Sequence, residues 1–118
     1  MKKYIFCFDI DGTICKTYAS RYSKSVPIKK NIKLINKLYI DGHTIKIFTS
    51  RYMGRTNSDP KKAHKLGYLK TFNQLKIWDL KFHELIIGKP RYDVFIDDKN
   101  LNFSKNWSKI IIKKFLKK

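Results

Sequence analysis

Apolar residues along this chain fall into short dense runs separated by polar stretches of uneven length. Tyr4 to Phe8 is a continuous β-rich run, the pattern of a strand covered on both faces. Residues 12–26 are polar without a period and read as a loop. Pro27 then opens a helix in which Ile28, Ile32, Ile35 and Tyr39 recur at helical spacing. Leu34 and Leu38 lie beside them, and Lys29, Lys30, Lys33 and Lys37 fall on the outer face. Asp41-Gly42 ends that helix. Thr44 to Phe48 reads as a second strand, and residues 50–67 as a loop and a short helix. Tyr68 to Leu80 carries Leu69, Phe72, Leu75 and Trp78 at helical intervals. Residues 84–87, 93–96 and 110–112 read as further strands.

Strands alternating with helices predict β-α units and a mainly parallel sheet. One join resists that scheme. Only Gly88-Lys89-Pro90-Arg91-Tyr92 separates the third and fourth apolar runs, whereas a parallel crossover needs about 10–12 residues. Either residues 84–87 form a short irregular edge segment, or the two runs are not parallel neighbours. No Ser/Gly linker, repeat or low-complexity block divides the chain. Its 118 residues are therefore expected to form one domain over 1–118.

Composition narrows the class. Hydrophobic residues at 42% and aromatics at 14% exclude a wholly disordered chain. The net charge of +18 raises nucleic acid, an acidic membrane surface or a polyanionic substrate as partners. A blander reading competes with these. Lysine far outnumbers arginine (Arg21, Arg51, Arg55 and Arg91 only), and Ile and Asn are abundant. An A/T-rich genome writes that mixture on any solvated surface. The basic ends, Lys113, Lys114, Lys117 and Lys118, read as part of a tail beyond the last strand. The first apolar run ends at Asp9, short of the roughly 7–15 residues of a signal-peptide core. No run approaches the roughly 18 residues of a membrane span. Cys7 and Cys15 give no disulfide framework and no metal spacing, and Cys7 reads as a small core residue. A reduced, cytoplasmic protein is the expectation.

In an open parallel sheet, ligands bind beyond the carboxyl ends of the strands. Asp9-Ile10-Asp11-Gly12-Thr13 follows the first strand, and Thr49-Ser50-Arg51 the second. Lys89 follows the third apolar run, and Asp97-Asp98-Lys99 the fourth. Carboxylates, hydroxyls and a lysine would thus converge on one edge. Clustered carboxylates need a cation beside them, and hard oxygen ligands suit Mg²⁺. A hydroxyl and an ammonium suit a phosphate's non-bridging oxygens. His43, His64 and His83 lie away from the strand ends. A carboxylate is then the available nucleophile, and phosphoryl transfer through an acyl-phosphate the implied reaction.

These motifs resemble the haloacid dehalogenase (HAD) superfamily. Its Asp-x-Asp-Gly-Thr motif stands here as Asp9–Thr13, and its strand ending in Thr or Ser as Ile47-Phe48-Thr49. Its lysine stands as Lys89, and its acidic pair as Asp97-Asp98. The texture around Asn36–Tyr39, Asp41–His43 and Gly88–Pro90 resembles the small capsule-biosynthesis phosphatases within it. The resemblance implies an α/β, Rossmann-like three-layer sandwich without a cap domain. It implies Asp9 as nucleophile and Asp11 as the proton donor that later activates water. Thr49 would bind the phosphoryl group, and Lys89 would neutralise charge, with Lys99 in reserve. Gly12, Thr13, Ser50 and Arg51 complete the substrate-contacting set, Arg51 at the mouth, with Arg21 and Arg55 as weaker candidates. Mg²⁺ would be held by Asp9, the Asp11 carbonyl and Asp98, with Asp97 beside them. The expected reaction is hydrolysis of a sugar or polyol phosphate bound for surface polysaccharide, in a site left open unless a second copy of the chain covers it.

Two other classes compete. A polynucleotide 3′-phosphatase shares these motifs and would use the positive charge, although the lysines are spread rather than gathered. A receiver-like signalling domain matches the length, but it needs a phospho-accepting Asp after the third strand and an acidic pair after the first. The pair here comes late, and Thr49-Ser50-Arg51 after the second strand holds no Asp. Against a silent binding module, all the expected acidic groups are present.

Overall fold

The computed structural model describes residues 2–116, so Met1 and the Lys117–Lys118 end of the basic tail lie outside the described residues. In chain order the elements are β1 (Ile5–Phe8), β2 (Cys15–Lys16), β3 (Val26–Pro27), α1 (Lys29–Ile40), β4 (Thr44–Thr49), α2 (Pro60–Ile77), β5 (Glu84–Ile87) and α3 (Trp107–Ile111). A three-stranded parallel sheet runs β1-β4-β5, and β2 and β3 pair as a short antiparallel ribbon. The architecture is α/β with a mainly parallel sheet, consistent with a Rossmann-like fold.

The sheet register explains which face is dry. Phe8 aligns with Ile47 and Ile47 with Leu85, all buried on one side. Cys7, Lys46 and Glu84 align on the other, where Lys46 reaches Glu84 at 3.8 Å. An ion pair in the middle of that face marks it as partly wet. α1 packs on β4 with Ile32, Leu34, Ile35 and Leu38 buried and its four predicted lysines exposed, as the helical spacing requires. α2 packs on β5. Its start comes earlier than the large apolar residues suggest, because Asp59 caps it. The Asp59 carboxylate accepts from the backbone N–H groups of Lys61 and Lys62, and Pro60 opens the first turn.

Several expectations are corrected. Pro27 belongs to the β2–β3 ribbon, and α1 begins after it. Residues 12–26 are not plain loop but hold that ribbon. Residues 93–96 form no strand: Val94 and Ile96 are exposed, the latter 90%. The short join explains this. Five residues after β5 reach at most about 17 Å, too little for a crossover back to the sheet's amino edge. β1 is consequently an edge strand rather than one buried on both faces, with Ile5 69% exposed and Cys7 exposed. Residues 110–112 are helical, because Trp107, Ile111 and Phe115 recur every fourth residue. Trp107 packs 5.9 Å from Phe8, and Phe115 lies 5.0 Å from Phe6 and 4.9 Å from Tyr4.

Gly67 on α2 has a packing reason. A Cβ there would sit 2.0 Å from Cδ2 of the buried Tyr52 ring. An exposed helical glycine gains stability on becoming alanine, by about 1 kcal/mol. Gly67→Ala should instead lose about 1–3 kcal/mol, the usual range for overpacking. A urea midpoint at or above that of the unsubstituted chain would show that Tyr52 moves aside freely.

Candidate active site at the carboxyl edge of the sheet

β1 delivers Asp9 at its carboxyl end, where the carboxylate accepts the N–H of Ile10 at 2.9 Å. Burial pushes the Asp9 carboxyl above its ordinary range, and the Lys89 ammonium opposes that shift. Lys89 Nζ lies 3.8 Å from Asp9 Oδ2 and over the rings of Tyr92 and Phe95. The Thr49 carbonyl at the end of β4 accepts the N–H groups of Gly88 and Lys89 at 3.2 and 3.1 Å. That pairing stitches the two strand ends together and brings the lysine to Asp9. Thr49 is buried, and its Oγ1 accepts the Arg51 N–H at 3.1 Å. Lys99 lies in an exposed turn, so Lys89 is the lysine at the site.

After Asp9 the chain turns tightly. The Ile10 carbonyl accepts the N–H groups of Thr13 and Ile14, and Gly12 donates to the Cys15 carbonyl. Gly12 adopts φ +84°, a conformation that favours glycine. The amides of Gly12 and Thr13 therefore close this turn. Asn31 on α1 anchors the turn by donating to the Thr13 carbonyl at 2.9 Å. Ser50 sits half-buried beside Thr49.

Arg51 departs most from expectation. It is 2% exposed and not at the mouth. Its guanidinium grips Asp11 as a fork, Nε to Oδ2 and Nη2 to Oδ1, each at 2.9 Å. Thr17 Oγ1 and the Cys15 thiol also donate to Asp11 Oδ1. Burial works against the charge on Arg51, yet the Asp11 carboxylate outweighs it and the guanidinium pKa lies above its ordinary value. The Arg51 and Arg55 guanidinium carbons lie over the Tyr22 ring, 4.8 and 5.1 Å from its centroid. Arg55 donates to the Ser20 carbonyl and Arg21 is exposed. Thr17, Tyr22, Ser25 and Gln74 around Arg51 carry no sequence signal of their own, because the β2–β3 ribbon and α2 supply them.

The acidic pair is not gathered. Asp97 and Asp98 lie in an exposed turn where Asp97 Oδ1 accepts the Lys99 N–H at 3.0 Å. Among the described residues no three His, Cys, Asp or Glu side chains come together as a metal site. Asp9 faces an ammonium and Asp11 a guanidinium. As placed, the expected set Asp9, Asp11, Asp98 and Asp97 does not fit Mg²⁺, because the strand that should carry the pair to the sheet edge has not formed.

The histidines serve the fold. His43 Nδ1 accepts the Tyr4 N–H and His83 Nδ1 the Ile45 N–H, each at 3.0 Å, and His64 stacks on Tyr68. Cys15 is the buried cysteine, not Cys7. Among the described residues no helix is long and apolar enough to cross a membrane. A groove of about 640 Å³ between α1 and the end of α2 touches none of the site residues.

No family model matches the chain, and neither does any curated protein. The crystal structure of an MCSG target from Vibrio cholerae superposes with a TM-score of 0.74 at 21% identity. The match covers 96% of this chain and 98% of that one. At that identity the likeness is one of fold.

Proposed function

We propose that this chain is a capless, HAD-type phosphatase with a three-layer architecture that hydrolyses a small phosphomonoester, a sugar or polyol phosphate of surface-polysaccharide synthesis. The observation that carries the reading is the meeting of Asp9, Thr49 and Lys89 at the ends of adjacent parallel strands, Lys89 Nζ being 3.8 Å from Asp9 Oδ2. Asp9 Oδ attacks phosphorus, so the aspartyl–phosphorus bond forms as the ester P–O bond breaks. Asp11, an acceptor from Arg51 in the resting site, first takes up a proton from solvent, gives it to the departing alkoxide, and then takes one from the water that cleaves the acyl-phosphate. Thr49 and Lys89 offer a hydroxyl and a positive charge to the transferring group.

For Asp9 and Asp98 to hold Mg²⁺ together, residues 93–98 must move so that Asp98 approaches Asp9. Slower amide exchange across those residues on adding Mg²⁺ is the expected sign, and unchanged exchange removes the ion from the proposal.

The deciding experiment is a phosphate-release screen over sugar, polyol and nucleotide phosphates and a 3′-phosphorylated oligonucleotide, at low and moderate salt. Preference for a small phosphomonoester is expected. An oligonucleotide preference that collapses with salt, by about 0.7 log units per single-strand phosphate neutralised and per decade of salt, would move the reading to nucleic-acid end processing. Release from none of them would sink it.

A further inference from the structure

We infer that Gln74 on α2 is a positioning residue that sets the place of Asp11 by acting through Arg51. This rests on the reading of Asp11 as the proton-transfer group. A guanidinium is a flat plate with five N–H donors. Here Nε and Nη2 hold Asp11, while Nη1 at the far corner donates to Gln74 Oε1 at 2.6 Å. Contacts at both ends of a rigid plate fix its tilt as well as its location, and the carboxylate forked onto it inherits both.

The Gln74 amide is itself oriented, because Nε2 donates to the Tyr22 carbonyl at 2.7 Å. Turned over, it would set its NH₂ against Nη1, donor to donor, and lose both bonds. Glutamine is therefore required here as acceptor and donor together. Glutamate would lack the donor for Tyr22 and compete with Asp11 for the guanidinium. Leucine would fill the space and offer neither.

Gln74 does not touch the reacting atoms. It and Arg51 line a cavity of about 370 Å³ with Tyr22 and Ser25, and Asp9, Asp11, Thr49 and Lys89 are not among its lining residues. The relay Tyr22–Gln74–Arg51–Asp11 thus reaches the site from behind, tying α2 and the β2–β3 segment to the loop after β1.

The test compares Gln74→Leu and Gln74→Glu with the unsubstituted chain. Displacing a reacting group by about 1 Å slows turnover by roughly 10²-fold, so kcat should fall about 10–100-fold with KM within about threefold. Independently of turnover, ¹⁵N NMR should show the Arg51 Nε–H signal, slow to exchange in the parent, shifting and exchanging faster in both variants. If that signal and its exchange stay unchanged in a folded variant, the relay is wrong. If it changes while kcat does not, Gln74 positions Arg51 without bearing on the reaction, and the inference falls. A parent chain that hydrolyses no phosphomonoester overturns the phosphatase reading, while the NMR arm still decides whether Gln74 holds Arg51.

Discussion

Asp9→Asn is expected to abolish turnover and, at neutral pH, to raise the thermal midpoint. The two effects have one cause. An amide cannot attack phosphorus, so no phosphoenzyme forms and the rate falls by on the order of 10⁴-fold or more, the scale set by removing a nucleophile. The carboxylate it replaces is held under strain. Burial raises the Asp9 carboxyl pKa, and Lys89 at 3.8 Å only partly offsets it. A group whose folded pKa lies above its unfolded value binds its proton more tightly in the native state. Stability therefore falls as pH rises from the ordinary aspartate value through the raised native one, and stays reduced above it. Asparagine carries no such penalty. Melting curves between pH 3 and 8 should show the variant's advantage absent at the acid end and full at neutrality. A variant melting below the parent at pH 7 would mean that the pairing with Lys89 outweighs the burial of Asp9.

What the sequence made legible was whatever depends on strand order alone. Asp9, Thr49 and Lys89 come together because each stands at or just past the carboxyl end of a strand of one parallel sheet, a rule that needs no knowledge of side-chain packing. The continuity of the short helix expected within residues 50–67 with the helix expected from Tyr68 was hidden for a different reason. The buried stripe of α2 is Ala63, Gly67, Thr71 and Leu75, mostly small or polar residues whose periodicity is faint on a hydrophobic count. Asp59-Pro60 was the readable signal there. Residues 93–96 failed in the opposite sense, since a local run can look like a strand while pairing depends on distant chain. Arg51 shows the limit most clearly. Its distance from Thr49 placed the backbone at the mouth, but side-chain direction is set by what waits across the fold. Asp11, forty positions earlier, turns it inward.

Removing the Arg51 guanidinium is the second large effect, and its signature separates a buried clamp from a substrate contact. Arg51→Met keeps most of the volume and deletes the fork. Breaking a buried ion pair from one side destabilises by about 3–5 kcal/mol. The Asp11 side chain keeps 28% exposure, so water recovers part of that interaction. A loss of about 2–4 kcal/mol is expected once the Gln74 acceptor is also left without its guanidinium donor. Against a typical domain stability of roughly 5–15 kcal/mol, that is a large fraction. Arg51→Lys should restore little, because an ammonium cannot present two donors side by side and reach Gln74 as well. The pair can be isolated by a double-mutant cycle. Asp11→Asn should cost less, or even stabilise, in the Arg51→Met background, since it then neutralises an orphaned carboxylate. Kinetics supply the other half. A clamp that orients Asp11 predicts a fall in kcat of about 10²–10³-fold with KM little changed, within the contribution of a positioned acid–base group. A residue at the mouth binding substrate predicts the reverse, a raised KM with kcat kept. Near-parent stability, additive double mutants and a KM effect together would return Arg51 to the substrate side of the site.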